Sequence, residues 1–228
     1  MRAPPCLETA RLHLRPRRRE DIDAILQMDL DPEVYRYSEM RAAVSAEVPD
    51  RAALRKNIRL QILSGTPREF WVVEWKGQPG FLGLAGLAPV EAIRSHSNGV
   101  GPHSIGFRFV RTAWGQGIAT ETARAILDFG FRVLKCPTVF ALSHTENGRS
   151  GRVLEKIGME RDRNPIGVVR QPSLLSASQS PPSPRVSSSL MQCSPGNIYL
   201  FYRLERGTYL DRASLWNATE AQPNCTDR

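Results

Sequence analysis

The sequence predicts a mixed α/β fold, a sheet with helices packed on its faces. Three observations predict it. The β-rich runs FWVVEW (70–75) and FLGLAGLAPV (81–90) flank KGQPG, a Gly/Pro turn, which is the pattern of an antiparallel hairpin. Segments with apolar residues at helical spacing lie before and after that hairpin. Between them, SIGFRFV (104–110) leads through TAWGQG straight into a helix-forming series.

Taken in order, RLHLRP (11–16) alternates apolar and polar residues, with Leu12 and Leu14 on one face, and reads as a short strand stopped by Pro16. REDIDAILQM sets Ile22, Ile25 and Leu26 at helical spacing behind an acidic start, as a helix N-terminus prefers. Leu54, Ile58 and Ile62 stripe a second helix over 50–63, ended by SGTP. The hairpin and the strand at 104–110 follow. Ala123, Ile126, Leu127, Gly130 and Leu134 trace one face of a helix from Thr120 to Leu134. TVFALS (138–143) reads as a buried strand, and 147–158 as a short helix closed by Gly158.

The texture then changes. Residues 171–196 hold nine Ser and five Pro and no acid, too little apolar surface to offset the entropy of ordering. IYLFYRLER (198–206) returns to strand alternation. The expectation is one domain, 7–206, interrupted by a disordered insertion over 165–197, with a flexible tail over 207–228.

The 228 residues, 41% hydrophobic and 24% charged, are sufficient for one ordinary core. No apolar run approaches the roughly 20 residues of a membrane helix, and MRAPPCLETARLHLRP has no apolar stretch of a secretory signal, so a cytoplasmic location without membrane contact is expected. Cys6, Cys136, Cys193 and Cys225 form no C-x-x-C pair, so no metal is expected. A net charge of +8 favours an anionic partner. The basic cluster RPRRRED (15–21) ends in acids and reads as a solvated corner; with no nucleic-acid-binding signature beside it, nucleic acid is not the expected partner.

The loop at 111–121, RTAWGQGIATE, carries the chemistry. Glycines let the backbone approach an anion, and the first amides of the following helix lack partners. A tight turn with no ligand explains a lone G-x-G almost as well. Two known anion loops match only weakly: a Walker loop needs Lys-Ser/Thr where Ile118 and Ala119 stand, and a dinucleotide fingerprint needs a third Gly or Ala where Thr120 stands.

Over residues 7–163 the chain resembles the GNAT N-acetyltransferase superfamily. The segments that carry the resemblance are SIGFRFVRTAWGQGIATETARAILDFGFRVL, followed by HTENGRSGRVLEKIGME, and YLFYRLER resembles the family's last strand. LETARLHLRPRRREDIDAILQM and the W-G-x-G-x-A-T-E run are similar to the branch that acetylates N-terminal amines of ribosomal proteins. The resemblance implies a GNAT-like central mixed, largely antiparallel sheet with helices on both faces, and an acetyltransferase with acetyl-CoA as cosubstrate. It implies that amides of Gly115, Gln116, Gly117, Ile118, Ala119 and Thr120 cradle the pyrophosphate, with charge from Arg111 or Arg124. It implies further that the pantetheine pairs along Phe109 and Val110, and that Asn147 and Ser150 contact pantetheine or phosphates; Asn147 is equally placed to cap its helix.

The chain departs from the family at Thr112, where a Gln or Arg is usual, at Ser104, where an acid is frequent, and at Leu154, where many relatives carry a tyrosine acid. The expected reaction is attack of a primary amine, from a protein N-terminus or a small molecule, on the acetyl thioester, with an amide near Val110 or Arg111 facing the oxyanion. Glu74 is the first candidate for the base. Ser143 and His144 come next, as proton relay or as donor to the thiolate. An acyl-CoA-binding protein without turnover is the alternative.

Overall fold

The computed structural model describes residues 4–37, 50–63, 69–90, 102–161, 186–187, 190–194 and 197–220. Its strands are β1 (Leu7–Glu8), β2 (Leu12–Pro16), β3 (Glu69–Trp75), β4 (Gln78–Pro89), β5 (His103–Phe109), β6 (Thr138–His144), β7 (Glu160–Arg161), β8 (Val186–Ser187), β9 (Leu190–Ser194) and β10 (Asn197–Glu205). Its helices are α1 (Ile22–Leu30), α2 (Pro32–Tyr35), α3 (Arg51–Leu63), α4 (Ile118–Asp128), α5 (Gly148–Lys156) and α6 (Arg206–Glu220). The described strands make one sheet in the order β1-β2-β3-β4-β5-β6-β10-β9-β8, with β7 also on β10. Every pairing is antiparallel except β5 with β6.

Strand alternation sorts the side chains onto two faces. Trp71, Val73, Ala85, Leu87, Val139 and Tyr202 face the larger core, which α4 closes with Ile118, Ala123, Ile126 and Leu127 and α5 with Leu154. Val72 and Leu84 face a second core filled by Ile25, Leu26 and Met28 of α1 and Leu54 and Ile58 of α3. Val90, Phe140 and Phe201, with Leu142 against them, form a third cluster. Helices on both faces of a mixed, mostly antiparallel sheet is the architecture expected. Among the described residues no helix is long and apolar enough to cross a membrane, and no group of three His, Cys, Asp or Glu is placed to hold a metal.

The structure differs from expectation at three places. The helix expected to run from Thr120 to Leu134 begins at Ile118 and passes into a π-helical turn, Phe129–Val133. The tail, expected to be flexible from 207, continues as α6. There Tyr209 and Ala213 are buried, Tyr209 stacks on Phe131 at 4.9 Å, and Arg206 and Arg212 donate to the carbonyls of Phe131 and Gly158. The reason is a short one-sided apolar stripe whose flanking arginines satisfy carbonyls at element ends.

The insertion is the third place. Residues 162–185 lie outside the described residues, but β9 within the expected insertion pairs with β10 from Leu190/Leu200 to Ser194/Asn197. β7 pairs with the other half of β10, at Arg161/Tyr202 and Glu160/Arg203. β7 and β9 therefore occupy one edge position in one direction, as two pieces of a single strand line. Backbone hydrogen bonding along β10 supplies the order that side-chain composition does not predict.

Candidate active site

β5 and β6 run parallel, yet they pair only at His103/Val139 and Ser104/Phe140. Both strands continue, to Phe109 and His144. The ladder therefore stops midway, and the C-terminal halves of the two strands face each other without pairing. A wedge with unpaired strand edges can accept an extended ligand as an added strand. Phe109 and Val110 lie at its mouth. The Phe109 carbonyl accepts from Trp114 Nε1 at 2.8 Å, and the Val110 amide donates to Leu82 O at 2.9 Å. The Val110 amide is thus committed to the sheet, which leaves Arg111 of the two amides expected to face an oxyanion.

On one lip of the wedge the chain turns through Arg111–Ala113 and the glycine loop into α4. Gly115 and Gly117 both have φ of 77°, a left-handed conformation that costs an L residue roughly 1–2 kcal/mol. Gly117 is the N-cap of α4, and the first helical bond is Glu121 N to Gly117 O at 3.0 Å. The amides of Ile118, Ala119 and Thr120 precede that bond and have no intrahelical acceptor. A Cβ at Gly115 would meet nothing within 4 Å, so the loop is open where an anion would approach. Ile118 is buried and pins the first turn to the core, while Gln116 Nε2 donates to Thr112 O at 2.6 Å. The residues present fit a phosphate.

On the other lip, β6 ends at His144 and α5 begins. Asn147 is the N-cap: its side-chain oxygen accepts from Ser150 N at 3.1 Å. Arg149, in the first turn of α5, lays its guanidinium over the Trp114 ring at 5.0 Å. That contact spans the wedge and joins its two lips.

The three candidates for proton handling have distinct settings. Glu74, on β3, bonds the Arg15 guanidinium through both oxygens, at 2.8 and 3.0 Å, and Arg15 also bonds Asp21 at 2.7 and 2.9 Å. Hydrogen bonding to Asp21, with Glu74 adding to it against the effect of burial, raises the Arg15 pKa further above its already high value. Glu74 is thus held in a part-buried ion network. Ser143 and His144 are neighbours on one strand and so point to opposite faces. The buried Ser143 hydroxyl lies 3.4 Å from the carbonyls of His144 and Asn147 on the α5 side, which share its single proton. His144 lies on the α1 side, between the rings of Tyr37 at 5.3 Å and Tyr199 at 5.4 Å. Its Nδ1 accepts from the Glu146 amide at 3.2 Å.

Four contributors escape sequence reasoning. Arg11 bonds the loop carbonyl of Gln116 at 3.0 Å, and Trp114 fixes the strand end. Tyr37, just beyond α2, reaches His144. Arg108 pairs through Nε with the buried Asp29 of α1 at 3.1 Å. Burial raises the Asp29 pKa, and Arg108 pulls against it. Only Arg108 has a readable signal, since the alternation F-R-F in β5 turns an arginine toward a helix-covered face. Arg111 is exposed at the turn.

A family model described as Acetyltransferase (GNAT) domain matches residues 11–160. The chain is 40% identical over 89 residues to YkkB of Bacillus subtilis, a match covering 39% of this chain and 49%, about half, of that relative. It is 30% identical over 162 residues to the FsC-acetyl coenzyme A-N(2)-transacetylase of Aspergillus fumigatus, covering 70% of this chain and 66% of the relative. Among solved structures, the spermidine N-acetyltransferase of Vibrio cholerae, in complex with CoA and spermine, aligns with a TM-score of 0.59 at 16% identity over 87% of this chain and 98% of the other. This last likeness is one of fold.

Proposed function

Because the chain belongs to the acetyltransferase (GNAT) family, we propose that it moves an acetyl group from acetyl-CoA to a primary amine by direct transfer. The observation that carries the reading is the unpaired wedge between β5 and β6 with a left-handed glycine loop at its lip. Amides from Gly115 to Thr120 hold the pyrophosphate at the positive end of α4, with Arg111 and Arg124 adding charge. The pantetheine lies along the half of β5 that does not pair with β6, as far as Phe109 and Val110, whose carbonyl and amide respectively are already bonded to Trp114 and Leu82, and Asn147 and Ser150 line the opposite lip. Acetyl-CoA, once bound, supplies the thioester whose acetyl carbon the amine attacks. Holding the two reactants together contributes most of the acceleration. Of the three residues considered for proton handling, His144 is assigned to the reaction, while Ser143 and Glu74 brace the strands around it.

The resemblance to enzymes acting on ribosomal-protein N-termini supports a protein N-terminus as acceptor. The likeness to the spermidine N-acetyltransferase of Vibrio cholerae, solved with CoA and spermine, keeps small-molecule amines beside it. One observation favours the second reading, coenzyme binding without turnover: Leu154, where relatives carry the tyrosine acid, is buried in the core and offers no proton.

Calorimetric titration with acetyl-CoA, alongside Gly117→Glu, tests the proposal. Micromolar binding that the variant loses, together with acetylation of an amine from a panel of peptides and polyamines, is the expected result. Binding without turnover of any amine would leave the second reading, and no binding by the unaltered protein would sink both.

A further inference from the structure

We propose that His144 serves the transfer as a neutral imidazole donating from Nε2, with its tautomer fixed by the main-chain amide of Glu146. The inference rests on the acetyltransferase reading for its function, though not for its structural half. A backbone N–H is always a donor, so the nitrogen that accepts from Glu146 must present a lone pair. That nitrogen is His144 Nδ1, at 3.2 Å. A neutral imidazole carries one proton, which must then sit on Nε2. A proton on Nδ1 would set two donors, Nδ1–H and the Glu146 N–H, against each other, so the other tautomer requires this turn to let go.

The ring is held as well as the proton. Tyr37 packs against one side at 5.3 Å with an interplanar angle of 33°, and Tyr199 meets it edge-on at 5.4 Å and 85°. Arg36 lies over the Tyr37 ring at 5.3 Å, which extends the stack. A half-turn about the Cβ–Cγ bond would exchange Nδ1 for carbon and forfeit the hydrogen bond. The Asn147 amide in turn donates to the His144 carbonyl at 2.9 Å, so the turn that supplies the Glu146 amide is itself tied back to the strand end.

With Nδ1 engaged and Nε2 protonated, His144 has no lone pair with which to take a proton from an amine. It donates a hydrogen bond to negative charge that develops at the end of the wedge and keeps its proton; a neutral imidazole likewise polarises the carbonyl in triosephosphate isomerase. The acetyl carbon forms its bond to nitrogen as its bond to sulfur breaks, and the proton that the amine loses and the one that the departing sulfur gains both exchange with water, so neither passes through His144.

Long-range proton–nitrogen NMR of the 15N-histidine-labelled protein without coenzyme reads the tautomer directly, with His144 assigned through His144→Gln. An unprotonated Nδ1 and a protonated Nε2 at neutral pH are expected, and Glu146→Pro, which removes the donor, should shift the population toward Nδ1–H. An Nδ1–H form or an imidazolium in the unaltered protein would overturn the proposal. Kinetics give the second arm. His144→Ala should lose about 100-fold in kcat, the loss typical of one oxyanion-type donor. His144→Gln, which keeps an N–H near Nε2, should recover most of that loss. Equal losses in both variants, with acetyl-CoA binding intact by calorimetry, would show that His144 works as a base and sink the donor role. Failure of the unaltered protein to bind acetyl-CoA would instead end the acetyltransferase reading and leave the tautomer to the NMR.

Discussion

Arg11 and Glu121 meet across 110 positions of sequence, guanidinium to carboxylate at 2.7 Å, and their meeting ties β2 to the first turn of α4. Thr9 and the Arg11 amide bond the same carboxylate at 2.6 and 3.0 Å, while Arg11 Nη2 holds the Gln116 carbonyl within the glycine loop. The loop is therefore braced from the N-terminal strand. Arg11 is about half exposed, so the pair contributes at most about 1 kcal/mol. If that contribution goes into ordering the loop, Arg11→Ala should weaken acetyl-CoA binding about fivefold in a calorimetric titration.

Glu121 also carries a pH signature. Burial pushes its carboxyl up, but hydrogen bonds from Thr9 and Arg11 outweigh that and hold its pKa below the usual carboxylate value of 4.5. A carboxyl with a depressed folded-state pKa stabilises the protein above its unfolded-state pKa. That stabilisation is lost as pH falls through the folded-state value. Melting temperature measured from pH 7 to pH 3 should therefore drop less steeply below pH 4.5 in Glu121→Gln than in the unaltered protein. Parallel curves would show that the bonds around Glu121 do not favour its charged form.

Glu74 should behave as a brace. Glu74→Gln leaves Arg15 with Asp21 and removes one of two charged partners, at a cost of about 1–3 kcal/mol in chemical denaturation. Activity per folded molecule should stay within about threefold, whereas loss of a general base would cost about 100-fold or more.

The split edge strand defines where the insertion can be removed. Arg161 pairs with Tyr202 and Leu190 with Leu200, so on an unbroken strand Leu190 would hold position 163. Excising 163–189 fuses Asp162 to Leu190 and preserves the alternation of side chains across β10. The excised protein should melt within about 4 °C of the full chain, a difference of under about 1 kcal/mol, and bind acetyl-CoA equally. Removing one residue more, 163–190, puts each remaining β9 side chain on the wrong face and should cost more.

The sheet and its helices were legible because their periodicities are strong. Val72 and Val73 pack on opposite faces as alternation requires, and Ile126 and Leu127 lie on the buried stripe of α4. The glycine loop was legible because only glycine takes φ of 77° at low cost, twice within three residues. The braces were not. The reach of Arg11 to Gln116, of Arg149 to Trp114 and of Tyr37 to His144 depends on which ends of the sheet meet, and local spacing carries no such information. The tail helix was missed for a related reason: Tyr209 stacks on Phe131 and bonds Asp128, both distant in sequence. The opposed settings of Ser143 and His144 follow from alternation alone and could have been read from the strand.

The two-piece edge strand has a consequence for how the domain folds. β10 pairs with β6 along seven positions, Tyr199 to Glu205, without help from the insertion, so the native ladder does not depend on what lies between β7 and β9. For β9 to find its place behind β7, Arg161 and Leu190 must nevertheless be brought together from far apart in sequence. The entropy of closing a flexible loop grows only with the logarithm of its length, about 0.6 kcal/mol per doubling. It is spent before the long-range pairing forms, so it falls on the folding rate rather than the unfolding rate. The expected consequence is a kinetic load on assembly: in stopped-flow measurements the full chain should refold more slowly than the protein lacking 163–189, while the two unfold at similar rates.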